Sequence, residues 1–296
     1  MNIQDSLKSA DTEEWIDLIF YRPLGYRWAL LFNKLGVTPN TITIASIFLG
    51  MAAGVMFYFN NLWLNVIGML LLVWANQYDS ADGQLARMTG QKSELGRILD
   101  GVSGDIWFFS IYLAIVLRLT PVWGIWIWLL AAAAGYCHSK QAAMADYYRN
   151  IHLFFLKGKQ GSEHDRSDQQ TELYHKLSWK DNFVRKLFQW FYKDYTKGQE
   201  RLSPKFQRFF DKYLEIYGGG AEAPETLRSS FRQDSLPLMK YTNILSFNTR
   251  AIALFVSLFL NMPWLYFVFE LSVLNVLLVY MINRHERLCE QMYDKL

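Results

Sequence analysis

Three aspartates, two glycines and an arginine stand at short, regular spacing in YDSADGQLARMTGQKSELGRILDGVSGD, residues 78–105. The pattern is D-x-x-D-G-x-x-A-R, then eight residues, then G-x-x-x-D. Carboxylate oxygens are the ligands that hard divalent cations prefer. On a helix, Asp79 and Asp82 are i and i+3 and share a face. Gly83 removes a side chain beside them, so a ligand can approach the backbone closely. Ala86 lies one turn beyond Asp82 and keeps that face shallow. Arg87 adds a planar cation suited to phosphate or to an acidic neighbour. Gly96 and Asp100 repeat the arrangement on the next helix, again a small residue beside a carboxylate. Two antiparallel helices with these faces would hold two magnesium or manganese ions against a diphosphate. Paired metals of this kind stabilise both the attacking and the leaving oxygen of a phosphoryl displacement.

The elements that must carry these groups are apolar. Hydrophobic residues make up 52% of the 296-residue chain and aromatics 17%. Segments at 39–60, 62–78, 98–119, 121–145, 240–261 and 263–283 are each close to the ~20 residues that cross a bilayer. Ionisable groups at the ends of such segments are expensive and usually functional. The N-terminus shows no signal-peptide pattern of basic, apolar and small-residue regions. The distribution of Lys and Arg sets an orientation. Lys8, Arg22, Arg27 and Lys34 precede the first span, Arg87, Lys92 and Arg97 flank the motif, and Arg284, Arg287 and Lys295 follow the last span. The opposite turns, 61–64 and 261–264, carry no charge, and Arg118 lies near the remaining one. Six spans therefore put both termini and the motif on the cytoplasmic side, in a membrane such as the bacterial inner membrane.

At the motif the chain resembles the CDP-alcohol phosphatidyltransferase family, whose signature is D-x-x-D-G-x-x-A-R, a spacer of about eight residues, then G-x-x-x-D-x-x-x-D. Seven fixed positions match: Asp79, Asp82, Gly83, Ala86, Arg87, Gly96 and Asp100. VTPNTIT at 37–43 is similar to the family too. The resemblance implies an all-α integral membrane fold and transfer of a substituted phosphoryl group from a CDP-linked donor to an alcohol, with release of CMP. It implies that Asp79, Asp82 and Asp100 hold two divalent ions, magnesium or manganese, and that Gly83 and Ala86 leave room for the nucleotide. Arg87 would brace the carboxylates. The family's last aspartate, which takes the proton of the acceptor hydroxyl, falls at 104, where this chain has Gly104 and then Asp105. On a regular helix, position 105 points about 140° from Asp100, while position 104 is only about 40° away. A one-residue π-bulge would bring i and i+5 together, and Gly101 and Gly104 ease such a distortion. Asp105 is therefore expected as a displaced base and fourth metal ligand.

The donor branch stays open at this level. Six spans and cations near span ends favour CDP-diacylglycerol with a polar alcohol or alcohol phosphate, inositol phosphate among them. The alternative branch passes a CDP-aminoalcohol headgroup to diacylglycerol. A non-catalytic relative is motivated by Gly104, and a cation transporter by intramembrane carboxylates, although carboxylates clustered at one end suit a site better than a path. Lys140, Arg149 and Arg250 are candidates for the acceptor's headgroup. The competing reading of each is snorkelling to the interface, and His138 is read as a packing histidine. The expected partners are the bilayer, a CDP-linked lipid and an alcohol, with a homodimer as the family's usual state.

The net charge of +3 gives no ground for nucleic-acid binding. Cys137 and Cys289 have no metal or disulfide spacing. The domains expected are a cytoplasmic N-terminus with an interfacial amphipathic helix at 1–38, four spans with the motif at 39–150, a helical cytoplasmic insert at 151–237, two spans at 238–283 and a tail at 284–296. In the first, Asp11 with Glu14 three residues on reads as a capping box. The insert has 15 Lys and Arg against 12 Asp and Glu, too charged to span. Within it, Ser203 and Pro204 read as N-cap and N1 of a helix, stopped by Gly218, Gly219 and Gly220.

Overall fold

A computed structural model describes residues 9–91, 93–218 and 223–296. Lys8, Lys92, Gly219 and Gly220, used in the readings above, lie outside them. All the described regular structure is helical, as expected. The chain forms two compact units, residues 1–138 with 248–272 and residues 139–247 with 273–296.

In the first unit a π-helical turn, Asp17–Tyr21, runs straight into α1, Arg22–Lys34. Pro23 does not break the chain there, because a proline in the first turn removes an N–H that has no intrahelical partner. The helix opens at Trp15, four residues beyond Asp11, so Asp11 is not at its N-cap position. Glu14 instead accepts from Asn248 Nδ2 at 2.9 Å, and Asp17 accepts from the same nitrogen at 3.0 Å.

The next three helices carry the motif. In α2, Pro39–Tyr58, Pro39 sits at the helix start and Thr38 accepts the N–H of Thr41. In α3, Leu62–Thr89, Asn61 accepts from Trp63 N and Leu64 N, and Gly90 stops the helix at φ 70°. In α4, Glu94–Trp123, Ser93 accepts from Gly96 N at 2.9 Å, and Gly124 at φ 56° ends the run. Gly124 separates α4 from α5, Ile125–Lys157, where a chain reversal requires a positive φ.

Helix α2 packs on both neighbours through a stripe of small residues, which lets backbones approach closely. A Cβ on Gly50 would lie 2.1 Å from Trp107 Cδ1 of α4, and one on Gly54 would lie 2.3 Å from Ser110 Oγ. At the far end from the motif, Arg118 ties the turns together. It donates to Phe57 O at 3.2 Å, to Asn60 Oδ1 at 2.7 Å and to Asn261 Oδ1 at 2.8 Å. At the motif end, Ala29, Ile42, Ala81 and Leu85 make a buried cluster of α1, α2 and α3, covered by Trp28, Phe32 and Tyr78. Helices α11, Phe247–Phe259, and α12, Trp264–Phe269, add the rest of this unit.

The second unit holds the latter part of α5 with α6, Ser167–Lys176, α7, Phe183–Leu202, α8, Pro204–Tyr217, α9, Glu225–Ser235, α10, Met239–Ile244, and α13, Asn275–Tyr293. Phe155, Phe206, Phe209 and Phe231 are fully buried in it, and Phe155 stacks on Phe231 at 4.0 Å. Pro204 opens α8 as expected, but Ser203 makes no cap bond. Its hydroxyl pairs with Tyr148 at 2.7 Å. The cap comes from α13: Glu286 accepts from Lys205 N at 2.8 Å and Phe206 N at 3.3 Å. A carboxylate is favoured at a helix N-terminus, where free N–H groups and the helix dipole meet it.

Among the described residues, four stretches are long and apolar enough to cross a bilayer: Pro39–Tyr58, Gly96–Trp123, Glu225–Phe259 and Trp264–Tyr293. The third is broken by a 3-10 turn at Leu236–Leu238, and the fourth by a π-turn at Glu270–Leu274. The other two expected spans are helical, within α3 and α5, but their helices also carry Asn65, Gln77 and Asp79, or His138, Lys140 and Gln141.

Candidate metal centre

The second half of α3 and the first turns of α4 bring the motif together. Ligand oxygens of Asp79, Asp82 and Asp100 all lie within 4.8 Å of one another. Asp82 is buried, Asp79 half-buried and Asp100 exposed, so the cluster is deep on one side and open on the other. The i, i+3 spacing puts the first two on one face, as the sequence implies. Two neighbours that the motif does not include orient them. Thr43 Oγ1, from α2, donates to Asp82 Oδ2. Ser103 Oγ, one turn beyond Asp100, donates to Asp79 Oδ1 at 3.0 Å. Such outer partners fix a ligand's direction and are part of a metal site's design. Thr43 belongs to the TPNTIT stretch, so it had a sequence signal. Ser103 had none, because a serine between two glycines is unremarkable until the helix faces are known.

Three carboxylates this close repel one another unless a cation lies among them. The donor set is all oxygen and comes from two rigid helices, which fits magnesium or manganese. Arg87 sits one turn beyond Gly83, and a Cβ on Gly83 would lie 3.4 Å from its Nη1. Its Nε and Nη2 are buried and meet no acceptor. These two nitrogens therefore do not brace the carboxylates, as the resemblance suggested. Guanidinium N–H groups without an acceptor fit a phosphate oxygen. Arg22 lies within electrostatic range of Arg87 and is held by Glu13, through Nε at 3.0 Å and Nη2 at 2.9 Å.

Gly96 serves a different need from the one expected. A Cβ there would stand 2.5 Å from Asn40 Oδ1, so this glycine lets the start of α4 close on α2.

Asp105 is corrected. Helix α4 is regularly α-helical from 94 to 123, with no bulge between Asp100 and Asp105. Asp105 therefore points about 140° from Asp100 and is not among the clustered carboxylates. It lies instead within electrostatic range of His138. Glycines permitted the distortion, but nothing in the packing demanded it. The side at Gly104 is open, since a Cβ there would meet nothing within 4 Å.

Arg250 is corrected as well. It is 1% exposed and paired with the fully buried Glu270 of the same unit. It also lies 2.9 Å from His138 Nδ1, and Tyr266 donates to Glu270 Oε1 at 2.6 Å. A guanidinium so enclosed offers no face to a headgroup. Nothing local in the sequence linked Arg250 to Glu270, twenty positions away. Lys140 and Arg149 belong to the second unit. Arg149 Nη2 donates to Ser246 Oγ at 2.8 Å and Asn243 Oδ1 at 3.3 Å, and Lys140 Nζ lies against Gly198.

Comparison with known proteins links this geometry to a family. Residues 36–149 match the CDP-alcohol phosphatidyltransferase family model. The chain is 31% identical over 98 residues to a bifunctional IPC transferase and DIPP synthase of Aquifex aeolicus, a match covering 33% of this chain and 22% of that protein. It is 36% identical over 92 residues to an archaetidylinositol phosphate synthase of Pyrococcus horikoshii, covering 31% of this chain and 47% of that one. The chain thus spans less than half the length of these curated relatives. The residues that match this family model, 36–149, contain every member of the carboxylate cluster and Arg87.

Proposed function

We propose that the protein transfers a phosphatidyl group from CDP-diacylglycerol to a polar alcohol or alcohol phosphate, with release of CMP. The observation that carries this reading is the carboxylate cluster of α3 and α4 beside buried N–H groups of Arg87 that meet no acceptor. Inositol phosphate is the favoured acceptor, because the P. horikoshii relative is named for such a product.

Asp79, Asp82 and Asp100 would hold two divalent ions, which supply Lewis acidity and a template for the diphosphate. Thr43 and Ser103 keep two of the three carboxylates aimed. Arg87 binds a phosphate oxygen of the donor. Gly83 and Ala86 leave the space the cytidine needs. The acceptor oxygen forms a bond to the phosphatidyl phosphorus, the anhydride bond breaks, and CMP leaves with the electron pair. With Gly104 at the family's base position and Asp105 turned away, the hydroxyl proton passes to Asp100, the exposed member of the cluster. Position and fixed electrostatics provide most of the acceleration.

In this reading α2, α3, α4, α5, the α10–α11 segment and the α12–α13 segment are six spans, with motif and termini on the cytoplasmic side of a bacterial inner membrane. The residues at 15–35 then lie in the interface, in keeping with exposed Trp15, Ile19, Leu31 and Leu35.

The test is a transfer assay on the purified chain in lipid, pairing CDP-diacylglycerol with a panel of alcohols and alcohol phosphates, and CDP-aminoalcohols with diacylglycerol. Product from the first set alone supports the proposal. Product from the second set alone would move the chain to the aminoalcohol branch. No product from any pair, with metal still bound, would mark a non-catalytic relative.

A further inference from the structure

Helix α7 is built inside out. The residues it buries are polar: Gln189, Thr196 and Gln199. Gln189 Nε2 donates to Gln170 O at 3.0 Å and Oε1 at 2.6 Å, and Gln199 Nε2 donates to Ala143 O at 2.8 Å. The residues it exposes are large and apolar: Phe183 at 59%, Val184 at 65%, Leu187 at 36%, Trp190 at 42%, Phe191 at 60% and Tyr195 at 37%. At about 100° per residue these six fall in one stripe about 140° wide, with the buried Gln189 and Thr196 opposite its centre. These hydrogen bonds hold the helix, and its apolar face is exposed, with Phe191 and Tyr195 bordering a cavity that Lys140 and Met144 of α5 also line.

A stripe of this size on a helix in water is unusual, and large exposed apolar patches mark interaction sites. The charges around it say which kind. Lys180, Lys197 and Arg201 are exposed in and beside the stripe, against exposed Asp181 and Asp194, while Arg185 is exposed on the opposite side of the helix. Trp179, 44% exposed, stands just before the first turn. Tryptophan is enriched where hydrocarbon meets water. A face of large apolar residues accompanied by basic residues is the composition of helices lying in a membrane surface. The second unit also contains most of an apolar stretch long enough to cross a bilayer, Trp264–Tyr293, so it is tethered to one.

We propose that the 151–237 insert lies on an anionic lipid surface through α7, with Phe183, Leu187 and Phe191 entering the hydrocarbon boundary and the basic residues facing headgroups. The insert is then a second membrane contact of the chain, independent of its spanning helices and of the catalytic reading above.

The experiment uses the full chain in vesicles of phosphatidylcholine alone and of phosphatidylcholine with phosphatidylglycerol. Spin labels are placed at Leu187→Cys, Phe191→Cys and, as an exposed position away from the stripe, Arg185→Cys. The signal of the unsubstituted chain, from Cys137 and Cys289, is subtracted. All three sites are exposed, and the helical content of each variant checks that it is folded. The expected result is a several-fold higher ratio of oxygen to nickel-chelate collisions at 187 and 191 than at 185, growing when phosphatidylglycerol is present. Free access of the nickel chelate at 187 and 191 would overturn the proposal. Exclusion of both reagents with spin–spin broadening would also overturn it, in favour of a second copy of the chain. Equal immersion in neutral and anionic vesicles would overturn the assignment to an anionic surface.

Discussion

At the scale of single residues, the proposed chemistry depends on how Asp79, Asp82 and Asp100 are held. Removing the Thr43 hydroxyl leaves the Asp82 carboxylate without its orienting donor. Thr43→Val should weaken divalent binding by about 10–100-fold, measured by titration calorimetry in detergent, with the helical content unchanged. Gly104 offers a sharper test. Because its side is open, Gly104→Asp should fold and raise the transfer rate, by up to the ~100-fold a positioned base supplies, while Asp105→Asn should leave it nearly unaltered. A large loss in Asp105→Asn would restore Asp105 to the base role. The aspartate spacing was legible in the sequence because helical periodicity alone decides which carboxylates share a face. The register at 104–105 was not, because glycine permits a bulge without requiring one. Burial of Arg250 was hidden for another reason: a pairing with Glu270 leaves no local pattern.

At the scale of elements, close approach of α2 to α4 sets the site's floor. Gly50 receives the Trp107 ring so closely that one methyl group collides. Gly50→Ala should destabilise the first unit by about 1–3 kcal/mol, read as a lower melting temperature in detergent. The comparable change at Gly101, with nothing within 4 Å, should have little effect. Arg118 secures the opposite end of the same helices, and Arg118→Met should cost about 1–3 kcal/mol through the acceptors it leaves unpaired. The apolar helices α2 and α4 were legible from length and composition, but the break at Gly124 was not, since the expected segment 121–145 ran across it. The fit of Trp107 on Gly50 was not, since pairing between faces depends on crossing geometry that neither helix encodes by itself. Likewise Ser203 carried the composition of an N-cap, yet Glu286 from a distant helix took that place.

At the scale of the whole molecule, the chain joins a region that matches a family model to an insert with its own aromatic core. His164 reports on that core. It lies against Tyr147, Phe154, Phe206 and Phe210, with Nε2 shut off from acceptors. Burial pushes its imidazole down to about 4. The unfolded chain then takes up a proton that the folded unit refuses. Stability from this group is intact above the ordinary histidine value and is lost as pH falls from about 6.5 towards 4, by about 3 kcal/mol. Thermal unfolding in detergent should therefore steepen in that window and flatten in His164→Phe. An unchanged pH slope in the variant would mean that His164 is already protonated in the folded unit. The existence of a charged, helical insert was visible in composition. Its inverted helix was not, because periodicity marks an apolar face without saying whether that face turns inward.

The central claim is that the α3–α4 carboxylates drive a metal-dependent transfer. The most direct measurement is CMP release from CDP-diacylglycerol by the purified chain in lipid, with inositol phosphate as acceptor, as magnesium or manganese is added and then chelated. The account predicts acceptor-dependent CMP that vanishes on chelation and falls by at least ~100-fold in Asp82→Asn, beyond the loss of an outer partner. CMP release that persists after chelation, or that Asp82→Asn supports as well as the unsubstituted chain, would contradict it.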